Sequence, residues 1–436
     1  MLINGVKGTL QGKTIVPGDK SISHRVVMLG AIAEGVTEAT GFLPSDDALS
    51  TIRCFRQMGV KIEQAGTNVR VVGVGLHGLQ APIDALDAGN SGTTMRLLAG
   101  LLSGQSFGVT LTGDASLERR PMRRVVDPLK KMGADIELEA NGCAPLHISP
   151  VAALRGIDYE MPVASAQVKS ALLLAGLYAG ETVTVRETIP SRDHSEKMLS
   201  AFGADLQVED GVIKLTPGAR LVGQKFSVPG DISSAAFILA AAAMTPGSDV
   251  TVQNVGVNPT RTGIIDVLLA MGAQLTLENE RIEGGEARAD LHIEYRPLHG
   301  VRIDGAVIPR LIDELPVLAF VAATAVGQTT IADAGELRVK ESDRLKMMAD
   351  GLKAFGVACE ELPDGIVIEG KAGKLTAPRI AMDPAGDHRM AMAFSVAALA
   401  SEGALRLLDS ACVCVSYPGF FTTLAELGAT IEEAEI

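Results

Sequence analysis

Lysine, arginine and serine cluster near the start of the chain, where a helix is expected to begin. The segment PGDKSISHR places Lys20 and Arg25 around Ser21, and Gly18 leaves room for a close approach. Serine is a common helix cap, and the backbone N–H groups of a helix start favour a bound anion, more so beside two cations. Taken alone, the segment fits an ordinary capped helix with a solvated Lys and Arg equally well.

The same combination returns along the chain, which favours an anion site over a series of unrelated turns. Polar or basic residues occur at further predicted helix starts and turns in both halves: Asn90, Ser91, Gly92, Thr93, Arg96, Arg119, Arg120, Arg123, Arg124, Ser165, Gln167, Lys169, Arg192, Lys340, Glu341, Arg344, His388 and Arg389. A guanidinium group binds phosphate or carboxylate through two parallel hydrogen bonds. The sequence therefore predicts a site for small molecules that carry several negative charges.

Two acids lie among these cations and are candidate proton carriers. Asp313, in IDELP, comes just before an apolar helix, and Glu341 lies between Lys340 and Arg344. Proton transfer by a positioned carboxyl group is a common catalytic device. On local grounds, an N-cap for Asp313 and a helix-surface ion pair for Glu341 are the competing interpretations.

Composition limits the classes of partner. The 436 residues carry a formal charge of -13, and only 3% of them are aromatic. This length exceeds one ordinary core and predicts two or three domains. The acidic balance argues against nucleic acid or an anionic membrane as a partner, because both bind basic surfaces.

The cysteines and apolar runs predict a reduced, cytoplasmic chain without a metal. The five cysteines are odd in number and form no CxxC pair. The first residues lack a signal-peptide pattern, and the apolar run AAFILAAAAM from Ala235 is about half of a bilayer span. No membrane segment is expected.

Common catalytic and nucleotide motifs are missing or incomplete. GVGLHG, at 73–78, matches GxGxxG, but Pro82 follows where the dinucleotide-binding helix would have to begin. There is no HExxH and no GxSxG, so metal- or serine-dependent hydrolysis has no support.

An internal repeat runs through the chain. A helix that ends in glycine and is followed by an alternating strand recurs at intervals of about 70 to 85 residues. The glycines are Gly59, Gly133, Gly203, Gly272, Gly356 and Gly428. An apolar helix and a Val/Thr-rich strand precede each of them, which predicts six helix–strand–helix–strand units in two similar α/β domains. The strand before Pro17 is expected to pair with the second domain.

Together these segments resemble the 5-enolpyruvylshikimate-3-phosphate synthase family, whose members join phosphoenolpyruvate to shikimate 3-phosphate. The matching phrases are PGDKSISHR, GNSGTTMR, TGDASLERRPM, SAQVKSALLLAGL, IDELP, RVKESDR and DHRMAM. They occur in the family's order and span almost the whole chain.

The resemblance implies an α/β (α+β) fold of two similar domains, each made of three βαβαββ repeats, the inside-out α/β barrel of enolpyruvyl transferases. Residues 18–229 would form the first domain. Residues 1–17 and 230–436 would form the second, with the active-site cleft between the two.

The resemblance also implies roles for individual residues. Shikimate 3-phosphate would contact Lys20, Ser21, Arg25, Ser165, Gln167, Arg192, Asp313 and Lys340. Phosphoenolpyruvate would contact Lys20, Gly92, Arg120, Gln167, Arg344 and Arg389. Asp313 would take the proton of the attacking 5-hydroxyl, and we hypothesise that Glu341 protonates C3 while Lys20 shares in proton transfer. We expect no metal or organic cofactor, and a monomeric cytoplasmic enzyme on the route to chorismate and the aromatic amino acids.

Departures from the family pattern favour its second class and leave two alternatives to test. Ser416 lies where many members carry lysine, and serine is common there in the second class.

The sister transferase for a UDP-linked amino sugar usually has a reactive cysteine a few residues before an Arg-Pro pair. Here Ala115 occupies the comparable place, and no cysteine is near it in sequence. The second alternative is a non-catalytic binder of phosphorylated metabolites.

Overall fold

Helices and strands alternate along the chain in the computed structural model, which describes residues 1–5 and 9–432. The parts of the predicted second domain at 6–8 and 433–436 lie outside the described residues. The α-helices are α1 (Lys20–Ile32), α2 (Asp46–Gln57), α3 (Gly92–Leu102), α4 (Arg123–Lys131), α5 (Ala166–Gly176), α6 (His194–Phe202), α7 (Ile232–Met244), α8 (Gly263–Ala270), α9 (Leu315–Thr324), α10 (Arg344–Ala354), α11 (His388–Leu399) and α12 (Phe420–Glu426). Short 3-10 helices cover Leu117–Arg119, Gly305–Arg310, Gly335–Val339 and Ser410–Val415.

The strands are short, and most belong to four-stranded sheets. They are β1 (Leu2–Asn4), β2 (Gln11–Ile15), β3 (Glu34–Thr40), β4 (Lys61–Ala65), β5 (Asn68–Val74), β6 (Leu86–Asp87), β7 (Val109–Thr112), β8 (Asp135–Leu138), β9 (Leu146–Ser149), β10 (Ile157–Glu160), β11 (Val183–Arg186), β12 (Leu206–Glu209), β13 (Val212–Leu215), β14 (Lys225–Ser227), β15 (Asp249–Gly256), β16 (Gln274–Glu283), β17 (Glu286–Glu294), β18 (Arg302–Ile303), β19 (Gln328–Ile331), β20 (Cys359–Leu362), β21 (Gly365–Glu369), β22 (Leu375–Thr376), β23 (Ser401–Glu402), β24 (Ala404–Arg406) and β25 (Thr430–Glu432).

The chain divides into two compact units. Domain 1 comprises Gly18–Val228 with Glu283–Glu286, and domain 2 comprises Met1–Pro17, Pro229–Ile282 and Ala287–Ile436.

Domain 1 contains the same sheet three times. The strand orders are β14-β3-β5-β4, β6-β7-β9-β8 and β10-β11-β13-β12. In each sheet the first pair is parallel and the other two pairs are antiparallel. In the second and third sheets a helix, α3 or α5, crosses between the two parallel strands, as parallel pairing requires. The first sheet takes its opening strand from the far end of the domain, since β14 pairs with β3 in the register Phe226↔Ala39.

Domain 2 repeats this arrangement with its own exchange of strands. In the sheet β18-β19-β21-β20 the first pair is parallel and the other two are antiparallel, and in the sheet β16-β17-β15-β2 the strand β15 is parallel to β2 and antiparallel to β17. The strand before Pro17, β2, pairs in parallel with β15. The last repeat is split into the small sheets β22-β23 and β24-β1-β25.

The core of each domain is built around apolar helices. Every residue of α7 and of α9 is buried, and α1, α3 and α5 are buried along almost their whole length. A helix that is apolar on all sides needs such an interior. The run from Ala235 is therefore the central helix α7 of a domain core, and no helix within the described residues is long and apolar enough to cross a membrane.

Glycines permit the helix ends and the close contacts. The six repeat glycines all have positive φ, from +74° to +113°, as expected after a helix C-terminus. A Cβ on Gly100 would lie 2.1 Å from the carbonyl oxygen of Ala171, so this glycine lets α3 approach α5. At Gly18 a Cβ would lie 1.8 Å from the oxygen of Gly41. The close approach predicted at Gly18 is thus made by the backbone of domain 1 itself.

Candidate active site

The first helix start holds a lysine against an acid. Asp19, and not Ser21 as predicted, caps α1: its carboxylate accepts the N–H of Ile22 at 2.9 Å. Aspartate competes well with serine for this position because its charge also suits the helix dipole. The Lys20 ammonium forms a short ion pair with Asp47, in the first turn of α2.

Arg25 is buried and oriented by oxygens of domain 1. Its Nε donates to the hydroxyl of Ser195 at 2.7 Å, and its terminal nitrogens donate to the Ser170 hydroxyl at 2.8 Å and the Ser21 carbonyl at 2.9 Å. The hydroxyls of Ser170 and Ser195 lie 2.6 Å apart. These three acceptors are neutral, so they fix the guanidinium without cancelling its charge.

The start of α3 places Gly92 beside two guanidinium groups. Ser91 caps the helix, and an added Cβ on Gly92 would lie 2.9 Å from Arg96 Nη1 and 3.5 Å from Arg120 Nη1. Arg120 donates to the Asn90 side-chain oxygen at 2.6 Å. Glycine therefore leaves a space, bordered by positive charge and a helix N-terminus, of the kind that suits an anion.

The start of α5 contributes two more predicted residues. Ser165 is the cap of this helix. The Gln167 oxygen accepts from Arg96 at 2.7 Å, while its nitrogen donates to Thr93 at 3.1 Å. Gln167 therefore joins the α5 start to the α3 start within domain 1.

The remaining basic candidates of domain 1 differ in burial, and one of them, Lys169, is paired with acids inside the domain. Lys169 is buried and bonds Glu187 at 2.7 Å and Glu196 at 2.6 Å, so its ammonium points into the domain. Burial raises the pKa of Glu196, and the charge of Lys169 opposes that rise. Arg192 is half-buried in the segment before α6. Of the four arginines at 119–124, only Arg120 is buried.

Domain 2 gathers its cations and acids around one buried arginine. Arg344, at the start of α10, is 1% exposed. Its guanidinium bonds Asp387 at 2.8 Å and Glu341 at 2.6 Å, and Asp313 lies 3.5 Å away. Three carboxylates therefore share a single guanidinium.

Asp313 lies among three cations. Its carboxylate is 3.5 Å from Arg344, 3.6 Å from Lys340 and 3.9 Å from Arg389, and Arg389 also donates to its backbone oxygen at 3.0 Å. The N-cap position of α9 belongs to Glu314, so Asp313 is not a helix cap. The local alternative for Glu341 is also wrong, because its partner Arg344 is buried and not on a helix surface.

Three acids that contact these residues were not predicted from the sequence. Asp47 pairs with Lys20, Asp387 holds Arg344 and caps α11, and Glu314 is fully buried 3.9 Å from Arg389. The motif GDHR at the α11 start contained a signal, since aspartate before an apolar helix favours capping. His388, next to Asp387, is buried at the first position of α11.

Burial and pairing set the charge state of the Arg344 cluster. Burial alone would lower the pKa of Arg344, but Asp387, Glu341 and Asp313 raise it far above its usual value. Burial alone would raise the pKa of Asp387, yet the charge of Arg344 holds that pKa below its usual value. The buried Arg344–Asp387 pair therefore stays ionised.

The described residues contain no candidate metal site, and their cysteines are all free thiols. No group of three or more His, Cys, Asp or Glu among them could hold a metal ion. The fold brings one cysteine to the segment that follows Ala115, since Cys143 Sγ lies 3.5 Å from the carbonyl oxygen of Arg119. Cys143 is buried and is distant from that segment in sequence only.

The fold is α/β, and basic residues gather at helix starts in both domains, with carboxylates around Arg344 in domain 2. The family model of EPSP synthase (3-phosphoshikimate 1-carboxyvinyltransferase) matches residues 6–424. The chain therefore belongs to the EPSP synthase family.

Relatives agree over nearly the full length. The chain is 52% identical over 429 residues to a 3-phosphoshikimate 1-carboxyvinyltransferase of Methylococcus capsulatus, covering 98% of this chain and 97% of the relative. It is 53% identical over 426 residues to one of Acidithiobacillus ferrooxidans, covering 98% and 97%. An EPSP synthase structure from Acinetobacter baumannii is 50% identical with a TM-score of 0.87, covering 98% of both chains.

Proposed function

We propose that the two clusters act on one pair of substrates in the reaction of the family. The chain transfers the enolpyruvyl group of phosphoenolpyruvate to the 5-hydroxyl of shikimate 3-phosphate and releases phosphate. The observation that carries the assignment of residues is Asp313, a carboxylate within 4 Å of Lys340, Arg344 and Arg389. This is a proton acceptor set among groups that bind anions.

Shikimate 3-phosphate is assigned mainly to domain 1. The helix starts of α1 and α5 contribute a lysine, an arginine with fixed orientation and the positive end of a helix dipole, which suit a phosphate dianion. Its proposed contacts are Lys20, Ser21, Arg25, Ser165, Gln167 and Arg192, with Asp313 and Lys340 from domain 2.

Phosphoenolpyruvate carries a carboxylate and a phosphate and needs several cations. Its proposed contacts are Lys20, Gly92, Arg120 and Gln167 in domain 1, and Arg344 and Arg389 in domain 2. The space at Gly92 between Arg96 and Arg120 supports the first set, and the location of Arg389 beside Asp313 supports the second. The cleft that would bring both sets together stays a prediction.

Asp313 is proposed as the base. The 5-hydroxyl oxygen attacks C2 of phosphoenolpyruvate and its proton passes to a carboxylate, while the electron pair of the C2–C3 double bond takes a proton at C3. Lys340 and Arg344 beside Asp313 favour its ionised form. The adduct then loses phosphate and a C3 proton, and fixed cations stabilise the leaving phosphate.

Glu341 is proposed as the acid at C3, and the charges around Arg344 suggest how it gains a proton. Three carboxylates already share this guanidinium, and Glu341 is the most exposed of them at 24%, against 13% for Asp313 and 0% for Asp387. An incoming anion that binds Arg344 adds negative charge, which favours proton uptake by one carboxyl group. We propose that Glu341 takes this proton and gives it to C3, with Lys20 sharing in the transfer.

Phosphate release tests the assignment. We expect release from phosphoenolpyruvate only with shikimate 3-phosphate, and its loss in Lys20→Ala. Lys61→Ala is the matched control, because Lys61 is an exposed lysine of β4 in the same domain and should leave turnover unchanged. Wild-type release with a UDP-linked amino sugar instead would favour the sister transferase. Binding without release would favour the non-catalytic binder.

We further propose a monomer in the cytoplasm without a cofactor. Each proposed contact comes from one chain, and the reaction moves only protons and an enolpyruvyl group. Activity per chain that is independent of enzyme concentration, with a monomer mass by light scattering, is the expected result.

A further inference from the structure

A chain of buried hydrogen bonds links the first three helices of domain 1. The Nδ1 atom of His24 in α1 lies 2.7 Å from the hydroxyl of Thr51 in α2. That hydroxyl lies 2.7 Å from the hydroxyl of Thr94 in α3, which donates to the Ser91 hydroxyl at 2.8 Å. His24, Thr51, Thr94 and Ser91 are all 0% exposed.

The direction of these bonds follows from counting hydrogens. A hydroxyl has one hydrogen, and that of Thr94 is directed to Ser91, so Thr51 must donate to Thr94. The Thr51 oxygen is then available as an acceptor, and His24 Nδ1 must carry the hydrogen. The Nε2 atom of His24 is buried without a hydrogen-bond partner among the described residues. Leaving a lone pair there is less costly than leaving a buried N–H donor.

The surroundings keep this histidine neutral. Burial, then the positive charges of Lys20 and Arg25, lower the pKa of His24 well below its ordinary value of 6.5. A neutral imidazole has one N–H, and the direction of the chain places it on Nδ1.

The chain of bonds ends at residues with proposed roles in the reaction. Ser91 caps α3 and precedes Gly92, and the Thr94 hydroxyl lies 3.5 Å from the backbone oxygen of Asp47. Asp47 is the partner of Lys20, which lies one helical turn before His24. Movement of this chain would therefore move both an anion-binding helix start and the Lys20 ion pair.

We propose that His24 is a positioning residue. As its Nδ1–H tautomer it fixes the starts of α1, α2 and α3 through Thr51 and Thr94, and so holds Gly92 and the Lys20–Asp47 pair in place for phosphoenolpyruvate. The inference rests on the proposed function for its substrate, and on the hydrogen-bond geometry alone for its tautomer.

Steady-state kinetics test the positioning role. His24→Phe and Thr51→Val both break the first bond, and we expect each to raise the KM for phosphoenolpyruvate about tenfold, the effect of one lost buried hydrogen bond. His24→Asn should stay close to wild type, because its side-chain N–H lies as many bonds from Cα as Nδ1 does. His24→Gln, with the N–H one bond further out, should resemble His24→Phe.

A second His–Thr pair in the same domain offers the matched control. His147 Nδ1 in β9 lies 3.0 Å from the Thr110 hydroxyl in β7, and this hydrogen bond is exposed. His147→Phe should leave both KM values unchanged. A His24→Asn variant as impaired as His24→Phe, or an equal rise in the KM for shikimate 3-phosphate, would overturn the positioning role.

A double-mutant cycle tests whether His24 acts through Thr51. The variant carrying both His24→Phe and Thr51→Val should be no worse than the poorer single variant, since both changes break one chain. Effects that multiply would mean that the two residues act separately and would contradict the inference.

The tautomer is tested without any activity. NMR spectra of 15N-histidine-labelled protein report which ring nitrogen carries the hydrogen. The His24 signals are those present in the wild type and absent from His24→Asn, and they should show a protonated Nδ1 and an unprotonated Nε2. A protonated Nε2 would overturn the inference whatever the kinetic variants show. Absence of wild-type phosphate release would instead overturn the proposed function, so the two failures are distinguishable.

Discussion

Arg25 in domain 1 and Arg344 in domain 2 are both buried, but different kinds of group hold them. In domain 1 hydroxyl and carbonyl oxygens accept hydrogen bonds from Arg25, and side-chain amide oxygens accept from Arg96 and Arg120, so neutral groups help to orient each guanidinium. In domain 2 Arg344 is held by carboxylates. The same sheet topology thus supports a region suited to binding anions and a region suited to moving protons.

The difference has a physical consequence for stability. A buried guanidinium held by neutral oxygens can lose one bond at modest cost, whereas a buried ion pair that loses a partner leaves an uncompensated charge. It also has a consequence for catalysis, because the carboxyl groups around Arg344 can take up and return protons, whereas hydroxyl and amide oxygens cannot.

The largest expected effect is on catalysis in domain 2. Glu341→Gln keeps the shape of the side chain but cannot carry a proton, so kcat should fall about 10²- to 10⁴-fold while both KM values change little. Equal losses in kcat and in substrate binding would reject the role of Glu341 as acid.

Calorimetry sharpens the same prediction. Binding of phosphoenolpyruvate with shikimate 3-phosphate in buffers of different ionisation enthalpy should show proton uptake by the wild type and less by Glu341→Gln. Equal uptake by both proteins would assign the proton to another group.

The contrast in stability is tested by matched substitutions of the two buried arginines. Arg344→Gln leaves Asp387 and Glu341 uncompensated and should lower the free energy of unfolding by about 3–5 kcal/mol. Arg25→Gln should cost about 1.5 kcal/mol, because the hydroxyl and carbonyl oxygens that it leaves at Ser170, Ser195 and Ser21 are neutral. Urea unfolding followed by circular dichroism measures both, and equal losses would break the comparison.

A smaller effect is expected from the neutral acceptors. Ser195→Ala removes the partner of Arg25 Nε and leaves the bond to Ser170. We expect a loss of about 1 kcal/mol of stability and a several-fold rise in the KM for shikimate 3-phosphate. Thr110→Val, at an exposed hydrogen bond of the same domain, is the control that should change neither.

The smallest expected effects are on the pH dependence of stability, which should differ between His24 in domain 1 and Asp387 in domain 2. The pKa of His24 is lowered on folding, so the unfolded chain takes up a proton first and stability falls as pH drops below about 6.5. The pKa of Asp387 is also lowered, so its contribution is lost only as pH falls through the region below about 4. His24→Asn should remove the first dependence and Asp387→Asn the second, in unfolding midpoints measured from pH 8 to 3. The opposite assignment of the two pH ranges would contradict these directions.

Much of the architecture was predictable from local patterns. The repeat glycines marked helix ends because a left-handed residue there favours glycine, and all six have positive φ. The apolar run from Ala235 is too short to span a membrane, so a fully buried helix was the structure it predicted, and α7 is buried throughout. Sequence patterns of this kind depend on neighbours along the chain.

The candidate residues were predictable as types, but their partners were not. Lys169 stands in the same run as Gln167, yet it faces Glu187 and Glu196 inside domain 1. Asp19 rather than Ser21 caps α1, and Cys143 lies beside a loop that is more than twenty residues away in sequence. Which groups meet across a core depends on helix packing, and no local spacing encodes it.

By itself, the sequence determined the repeat, the α/β class, the anion-binding chemistry and the family to which the chain belongs, because each of these rests on local periodicity or contiguous motifs. The tertiary structure alone decided that neutral oxygens hold Arg25 while carboxylates hold Arg344, and that His24 is tied to Ser91 through two threonines. The bonds His24–Thr51, Thr51–Thr94 and Arg25–Ser170 join residues that are 27, 43 and 145 positions apart, and they exist only once the helices pack.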